Sequence, residues 1–199
     1  TWDVHKNLLA SLSPIVDCGV HYLDVMCQIT QSKPLSVSAI GVRLSDEIPT
    51  DNYNYGQLQI RFEDGSVGWY EAGWGPMISE TAFFVKDVIG PNGSVSIVSD
   101  DDTFKKDSDN LENHTKNNCL KIHSSKLDSD HNFISPNKKI VYDEDPSHQD
   151  LCDYEQEYFY KAICEDIDLK SHMEDAYKSL QIALACDEAV KKSKTVFLD

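Results

Sequence analysis

An alternating stretch, YGQLQIRFEDGSVGWYEAGW at residues 55–74, restricts the folds open to this chain more than any other part of its sequence. Leu58, Ile60 and Phe62 alternate with polar residues, as the inner face of a half-buried strand does. Asp64-Gly65 then supplies a turn dipeptide, and a second alternating run follows it. The stretch therefore predicts an antiparallel hairpin.

Further strand-like runs lie on both sides of this hairpin. LSVSAIGVRL at 35–44 is rich in β-branched residues, and AFFVKDVIG and GSVSIV are joined through Pro91-Asn92-Gly93, which has turn chemistry. A short run, TVFL, closes the chain. Together these runs predict a mainly antiparallel sheet of at least five strands.

Helical patterns flank the strands. Ser13-Pro14 is typical of a helix start, since serine caps free amides and proline suits the first helical position, and we expect this helix to reach about Ile29. Near the other end, residues 151–163 show helical periodicity. A further helix follows, with a capping box formed by Ser171 and Glu174. Its predicted inner stripe is Ala176, Leu180, Ala183 and Leu184.

The segment from Ser99 to Asp150 is polar and dense in Asp, Asn, Ser and Lys. We expect it to be a loop-rich insert with one or two short strands. We expect one domain over residues 1–199 that includes this insert, because 40% apolar residues can supply a substantial core.

Charge and cysteine content limit the partners and the compartment. Lys and Arg total 18 against 34 Asp and Glu, a net charge of −16 that argues against a nucleic acid or an anionic membrane surface as partner. The six cysteines lack CxxC spacing, and the sequence has no signal-like or membrane-spanning apolar segment. We therefore expect reduced thiols and a cytoplasmic protein.

The predicted first helix carries Asp17 and His21 one turn apart on the same side. Gly19 between them is costly in a helix interior, which indicates that another group approaches the backbone there. An imidazole can take the hydroxyl proton when an alcohol is oxidised, and a neighbouring carboxylate can hold substrate hydroxyls.

Two other interpretations of this pair stay open. In the structural one, Asp17 binds first-turn amides and His21 is a hydrogen-bonded, half-buried residue. In the other, both are ligands of a metal-dependent hydrolase or isomerase, although the remaining histidines show no HExxH or paired spacing that would complete a site. We therefore predict no metal.

Three aromatic residues cluster on the second strand of the hairpin. Alternation places Trp69 on one face, and Tyr70 and Trp74 on the other. One face should meet the helices. The aromatic pair on the opposite face belongs either to ordinary sheet packing or to a subunit interface.

The run SPIVDCGVHYLDVMCQI resembles the helix that opens the C-terminal domain of the glucose-fructose oxidoreductase and inositol dehydrogenase family (Gfo/Idh/MocA), with its D-x-G-x-H-x-x-D core. LSVSAIG, LQIRFEDGSVGWYEAGW, VIGPNGSVSI and the closing segment from 171 to 198 follow in the family's order. The similarity covers residues 14–99 and 151–198. It implies an α+β domain, an open, mostly antiparallel β-sheet with helices packed on one face and an oligomer contact on the other.

The same resemblance implies roles for individual residues. His21 would be the catalytic acid/base, Asp17 its catalytic partner at the substrate, and both would bind the substrate. Gly19 would keep the helix slim where the cofactor, NAD or NADP, approaches. The expected substrate is a sugar, a polyol or a related hydroxy compound, and the expected partner is a second copy bound through the sheet face.

Two family features are missing from the sequence. No GxGxxG stands between a strand and a helix, and no Glu-Lys-Pro segment is present. We expect a dinucleotide-binding half to precede Thr1 in the natural protein and expect this chain alone to be inactive. The alternative is a binding or dimerisation module that keeps the fold without the chemistry.

Overall fold

The computed structural model describes residues 2–77, 86–98, 119–142, 144 and 146–198. Two compact units divide the chain, the first formed by Thr1–Ile78 with Ile167–Asp199 and the second by Ser79–Asp166. Each unit holds one four-stranded sheet, and every strand pair is antiparallel. The predicted α+β class is confirmed, while the strands form two sheets where the sequence indicated one.

The described helices are α1 (Trp2–Leu8), α2 (Val20–Thr30), α3 (His148–Glu165) and α4 (Lys170–Lys192), and a π-helical turn (Ile15–Gly19) leads into α2. The strands are β1 (Pro34–Val42), β2 (Tyr55–Phe62), β3 (Val67–Gly73), β4 (Lys86–Gly90), β5 (Gly93–Ile97), β6 (Cys119–Ser124), β7 (Lys138–Val141) and β8 (Val196–Phe197). Within the described part of the chain, no helix combines the length and the apolar character needed to cross a bilayer.

The sheet of the first unit has the order β3-β2-β1-β8 and contains the predicted hairpin. Its turn closes where Asp64 accepts hydrogen bonds from the Ser66 amide at 2.9 Å and the Ser66 hydroxyl at 2.7 Å. Gly65 adopts φ of +87°, a conformation that suits glycine. The last strand, β8, pairs with β1 only at Ser36 and Val37.

One core lies between the inner face of this sheet and the helices. Strand residues Leu58 and Ile60 are buried against Ile15 and Leu23 of the first helical segment and against Ile182 of α4. Because the buried positions on each strand are two residues apart, the alternation of the sequence is sufficient to predict this face.

The helix expected from Pro14 to about Ile29 is confirmed, although its first turn is π-helical. Ser13 caps it as predicted, since its hydroxyl accepts the Val16 amide hydrogen bond at 3.1 Å. The short helix α1, which precedes this segment, was not predicted.

One expectation for α4 is wrong and another holds only in part. The helix begins at Lys170, whose amide donates to the Asp168 carboxylate at 2.9 Å, so Ser171 and Glu174 form no capping box. Of the predicted inner stripe, Ala183 is buried, whereas Ala176, Leu180 and Leu184 are exposed. The buried stripe instead contains mostly small residues, because α4 packs closely on α2 and β1: Ser179, Ile182, Ala183, Ala185, Cys186 and Ala189.

The second unit contains the sheet β4-β5-β6-β7 and helix α3. The predicted hairpin through Gly93 is present over the described strands, and the residues expected to extend it at 82–85 lie outside the described residues. Short strands β6 and β7 occur in the polar insert, as expected, while residues 99–118 of that insert are not described. A capping box between Ser147 and Asp150 starts α3.

Asn54 links the ends of the two strands that flank β2, and its side chain is fully buried. Its amide donates to the Trp74 carbonyl at 2.7 Å and its carbonyl accepts from the Leu44 amide at 2.7 Å. We expect Asn54→Ala to lower the free energy of unfolding by about 2 to 3 kcal/mol, because two backbone groups lose their partner.

Urea denaturation monitored by circular dichroism measures this loss. Asn7→Ala is the matched control, since the Asn7 side chain is exposed and bonds the Asp3 carbonyl of its own helix, and its loss should stay below about 0.5 kcal/mol. Equal losses in the two variants would contradict the bridging role of Asn54.

Candidate functional site

The predicted site residues lie on the first helical segment of the first unit. Asp17 and Gly19 belong to the π-helical turn, and His21 lies in the first turn of α2. Asp17 is half-buried, Gly19 is buried and His21 is exposed. The buried row Ile15, Gly19 and Leu23 faces the core, which leaves the Asp17 and His21 side of the helix toward the surface.

Asp17 is available for a ligand. Among the described residues its carboxylate accepts one side-chain hydrogen bond, from the Cys18 thiol at 3.5 Å. First-turn capping is supplied by Ser13 instead. A half-buried carboxylate keeps acceptor capacity that a ligand hydroxyl can use.

The His21 imidazole makes no hydrogen bond or ion pair within the described part of the chain, and none connects it to Asp17. Neither side chain therefore has the structural role that the sequence left open, in which Asp17 binds amides and His21 is bonded and half-buried. The two groups lie one turn apart and both can face a third group.

Asp24, which also lies near this side of the helix in sequence, is used elsewhere. Its carboxylate accepts the Ser179 hydroxyl hydrogen bond at 3.0 Å, which ties α2 to α4. Asp24 is thus part of the helix packing.

Gly19 is closely approached by a side chain of the protein. A β carbon at Gly19 would lie 3.1 Å from Cε1 of Tyr70 and 3.6 Å from Ile15. The predicted need for a close approach at this glycine is met by the Tyr70 ring. Its predicted contact with a cofactor stays a prediction.

Two aromatic stacks adjoin the Asp17 turn. Tyr22 stacks on Tyr70 with ring centroids 4.9 Å apart, and His5 stacks on Trp74 at 4.7 Å. Trp69 and Tyr70 lie on opposite faces, as predicted. It is Tyr70 that packs against the core, whereas the aromatic pair was expected on the face away from the helices, and Trp69 is exposed. The sequence analysis missed His5 and Tyr22; the spacing of Tyr22 four residues after Cys18 was the available signal for the latter.

Burial raises the pKa of the groups around Asp17, which are uncharged at neutral pH. It raises the pKa of the Cys18 thiol to about 12, and the Asp17 carboxylate adds to this by its charge and by accepting the thiol hydrogen bond, while a hydrogen bond with Trp74 acts in the opposite direction. Burial also raises the pKa of Tyr22 and of Tyr70. Cys18 is therefore a packing residue, because its thiolate does not form near neutral pH.

No group of metal-ligating side chains of the size a metal site needs is found among the described residues. Asp17 and His21 lack the further ligands that a metal centre requires. The chemistry available from this side of the helix is hydrogen bonding by a carboxylate and proton exchange with an imidazole.

The class of protein is given by a family match, which assigns the chain to the C-terminal α/β domains of oxidoreductases. Residues 2–198 match the family described as "Oxidoreductase family, C-terminal alpha/beta domain", and the chain belongs to this Gfo/Idh/MocA family. No curated protein matches the sequence.

Several solved structures share the fold. One is an aldose-aldose oxidoreductase from Caulobacter crescentus complexed with glycerol, with a TM-score of 0.65, 17% identity and coverage of 93% of this chain and 47% of that chain. Another is an oxidoreductase from Agrobacterium radiobacter in complex with NAD+, L-tartaric acid and magnesium, with a TM-score of 0.64, 13% identity and coverage of 98% and 52%.

A third is UDP-N-acetylglucosamine 3-dehydrogenase from Acidithiobacillus ferrooxidans, with a TM-score of 0.56, 17% identity and coverage of 87% of this chain and 45% of that chain. The chain thus spans about half the length of the solved structures it matches.

We expect the reactivity of Cys18 to depend on Asp17. With a pKa of about 12, the thiol should react slowly with iodoacetamide at pH 8, and the rate should rise about tenfold per pH unit up to pH 10. Asp17→Asn removes the charge that opposes thiolate formation, so the rate at pH 8 should increase about three- to tenfold.

Mass spectrometry of the peptide that contains Cys18 measures this rate separately from those of the other cysteines. Asp51→Asn, at an exposed carboxylate, is the matched control and should leave the rate unchanged. A Cys18 rate that is unaffected by Asp17→Asn would show that the carboxylate does not act on the thiol.

Proposed function

We propose that this chain is the substrate-side domain of an NAD(P)-dependent dehydrogenase that oxidises a sugar, a polyol or a related hydroxy compound. The observation that carries the proposal is the placement of an available carboxylate, Asp17, one helical turn from an exposed imidazole, His21, that has no bonding partner among the described residues. Family membership supplies the reaction class. The names of two relatives concern aldoses and a nucleotide sugar, which supports the substrate class.

In this proposal the residues of the chain handle the proton and the hydroxyl groups. Asp17 accepts hydrogen bonds from substrate hydroxyls and fixes the orientation of the carbinol carbon. His21 takes the proton of the reacting hydroxyl as the carbonyl forms. When bound, the nicotinamide supplies the acceptor for the hydride lost from the same carbon, so the alcohol loses one hydride and one proton.

The nicotinamide would lie beside the Asp17 and His21 side of the helix. Because the sequence contains no glycine-rich phosphate-binding turn, the phosphates of NAD or NADP would be held by a separate dinucleotide-binding domain. We propose that the natural protein contains such a domain and that this chain alone is inactive. One relative of known structure holds NAD+, which is consistent with this assignment.

His21→Ala should remove turnover in the natural protein that contains this chain. We expect kcat for a reactive sugar or polyol to fall by about 10² to 10⁴, because the proton acceptor is lost. Nicotinamide absorbance measures the rate, and circular dichroism measures retention of the fold.

His172→Ala is the matched control, since His172 is an exposed histidine of the same unit, and it should keep kcat within about twofold. Unchanged turnover in His21→Ala would falsify the acid/base role. A natural protein without a dinucleotide-binding domain would favour the alternative of a binding or dimerisation module.

The compartment and a partner complete the proposal. All of the cysteines are free thiols, which supports a reducing cytoplasmic environment.

We also propose that the chain forms a homo-oligomer through the open sheet face, the side of the first sheet opposite the helices. That face exposes large apolar residues: Ile40 (61%), Val42 (45%), Val67 (63%) and Trp69 (52%).

Trp69→Glu should convert the oligomer to a monomer, because a charge placed within a subunit contact is costly to bury. Sedimentation velocity over a range of concentrations measures the species present. Val4→Glu, at an exposed position of α1, should leave the oligomer unchanged. A monomeric wild-type chain at all concentrations would contradict the open sheet face as an interface.

A further inference from the structure

The turn that carries Asp17 has an unusual backbone. Residues Ile15–Gly19 form a π-helical turn between the Ser13 cap and α2. A π-turn inserts extra backbone into a helix and is rare, so it persists where the surroundings support it. The side-chain direction of Asp17 relative to α2, and therefore to His21, depends on this turn being kept.

Tyr70 packs directly on the end of that turn. Its ring occupies the space that a side chain at Gly19 would take, at 3.1 Å from the position of the missing β carbon. The contact is made with the buried Gly19 position of the turn. Tyr70 thus supports the turn from within the core.

The ring itself is held firmly on its other sides. Tyr70 lies on β3 and pairs with Leu58 of the central strand β2. It packs against the hydrophobic core and stacks on Tyr22, with ring planes at 25°. Because Tyr22 is in the first turn of α2, one ring contacts both the π-turn and the helix that follows it.

We propose that Tyr70 is a positioning residue: seated against Gly19 and Tyr22, its ring fixes the π-turn and thereby the placement of Asp17 relative to His21. The importance of this Asp17 placement for catalysis rests on the proposed function. The positioning role depends on the ring and on the absence of a side chain at residue 19, and it does not depend on the Tyr70 hydroxyl.

Because the coupling between Tyr70 and Gly19 is steric, the effect of Gly19→Ala on the stability of the turn should change sign when the Tyr70 ring is removed. With Tyr70 present, Gly19→Ala places a methyl group at 3.1 Å from the ring, so the ring or the turn must shift by a few tenths of an ångström. With Tyr70→Ala the space is open, and the same Gly19→Ala change should stabilise the helix because alanine favours helical backbone. Two residues that do not interact would give the same effect in both backgrounds.

Amide hydrogen exchange measured residue by residue by NMR tests this in the chain itself. We expect Tyr70→Ala to speed exchange at residues 17–21 about tenfold and at residues 24–27 less than about twofold. Gly19→Ala should speed exchange at 17–21 in the wild type and slow it about fivefold in the Tyr70→Ala background. Tyr70→Phe keeps the ring and should match the wild type.

Equal acceleration at 17–21 and 24–27 in Tyr70→Ala would overturn the proposal, as would additive effects of the two substitutions. If Tyr70→Ala does not fold, Tyr70→Leu makes the same comparison with more of the core filled. The exchange measurement needs no turnover, so it is independent of the proposed reaction. In the natural enzyme, Tyr70→Leu should lower kcat at least about tenfold, whereas Tyr70→Phe should not.

Discussion

Burial of the helical row Ile15, Gly19, Leu23 and Cys27 against the inner face of the first sheet is the interaction on which the rest of the structure depends. The row contributes three buried side chains and one bare backbone position to the core. Because one side of the helix packs against the sheet, the opposite side lies at the surface. This packing places Asp17 and His21 on the surface side.

The side chains next to Asp17 are uncharged, although the chain as a whole carries a net charge of −16. They are a thiol and two phenols, whose pKa values burial raises further above neutral pH. In the proposed function, a carboxylate among neutral groups would accept hydrogen bonds from ligand hydroxyls without competition from a neighbouring cation. The seven histidines of the chain include one, His21, that is exposed beside it.

Much of this arrangement could be predicted from the sequence because it depends on local patterns. Alternation gave the β2–β3 hairpin, and Ser13-Pro14 gave the helix start. Contacts between distant segments could not be predicted in this way. The stack of His5 on Trp74, the hydrogen bond from the Tyr53 hydroxyl to Asp187 and the fit of Tyr70 against Gly19 each join residues far apart in sequence. The π-turn has no sequence signature of its own, and the small-residue stripe of α4 reflects how closely two helices approach.

The shortness of β8 has a consequence for self-association. In the first sheet β8 pairs with β1 only at Ser36 and Val37, and no other described strand pairs with that side of β1. The β1 amides and carbonyls beyond Val37 thus form part of a sheet edge, which can template pairing with a second chain. A variant that ends before Thr195 would lengthen this unpaired edge over the whole of β1. We would expect such a shortened chain to aggregate by adding strands, a route separate from any contact through the open sheet face.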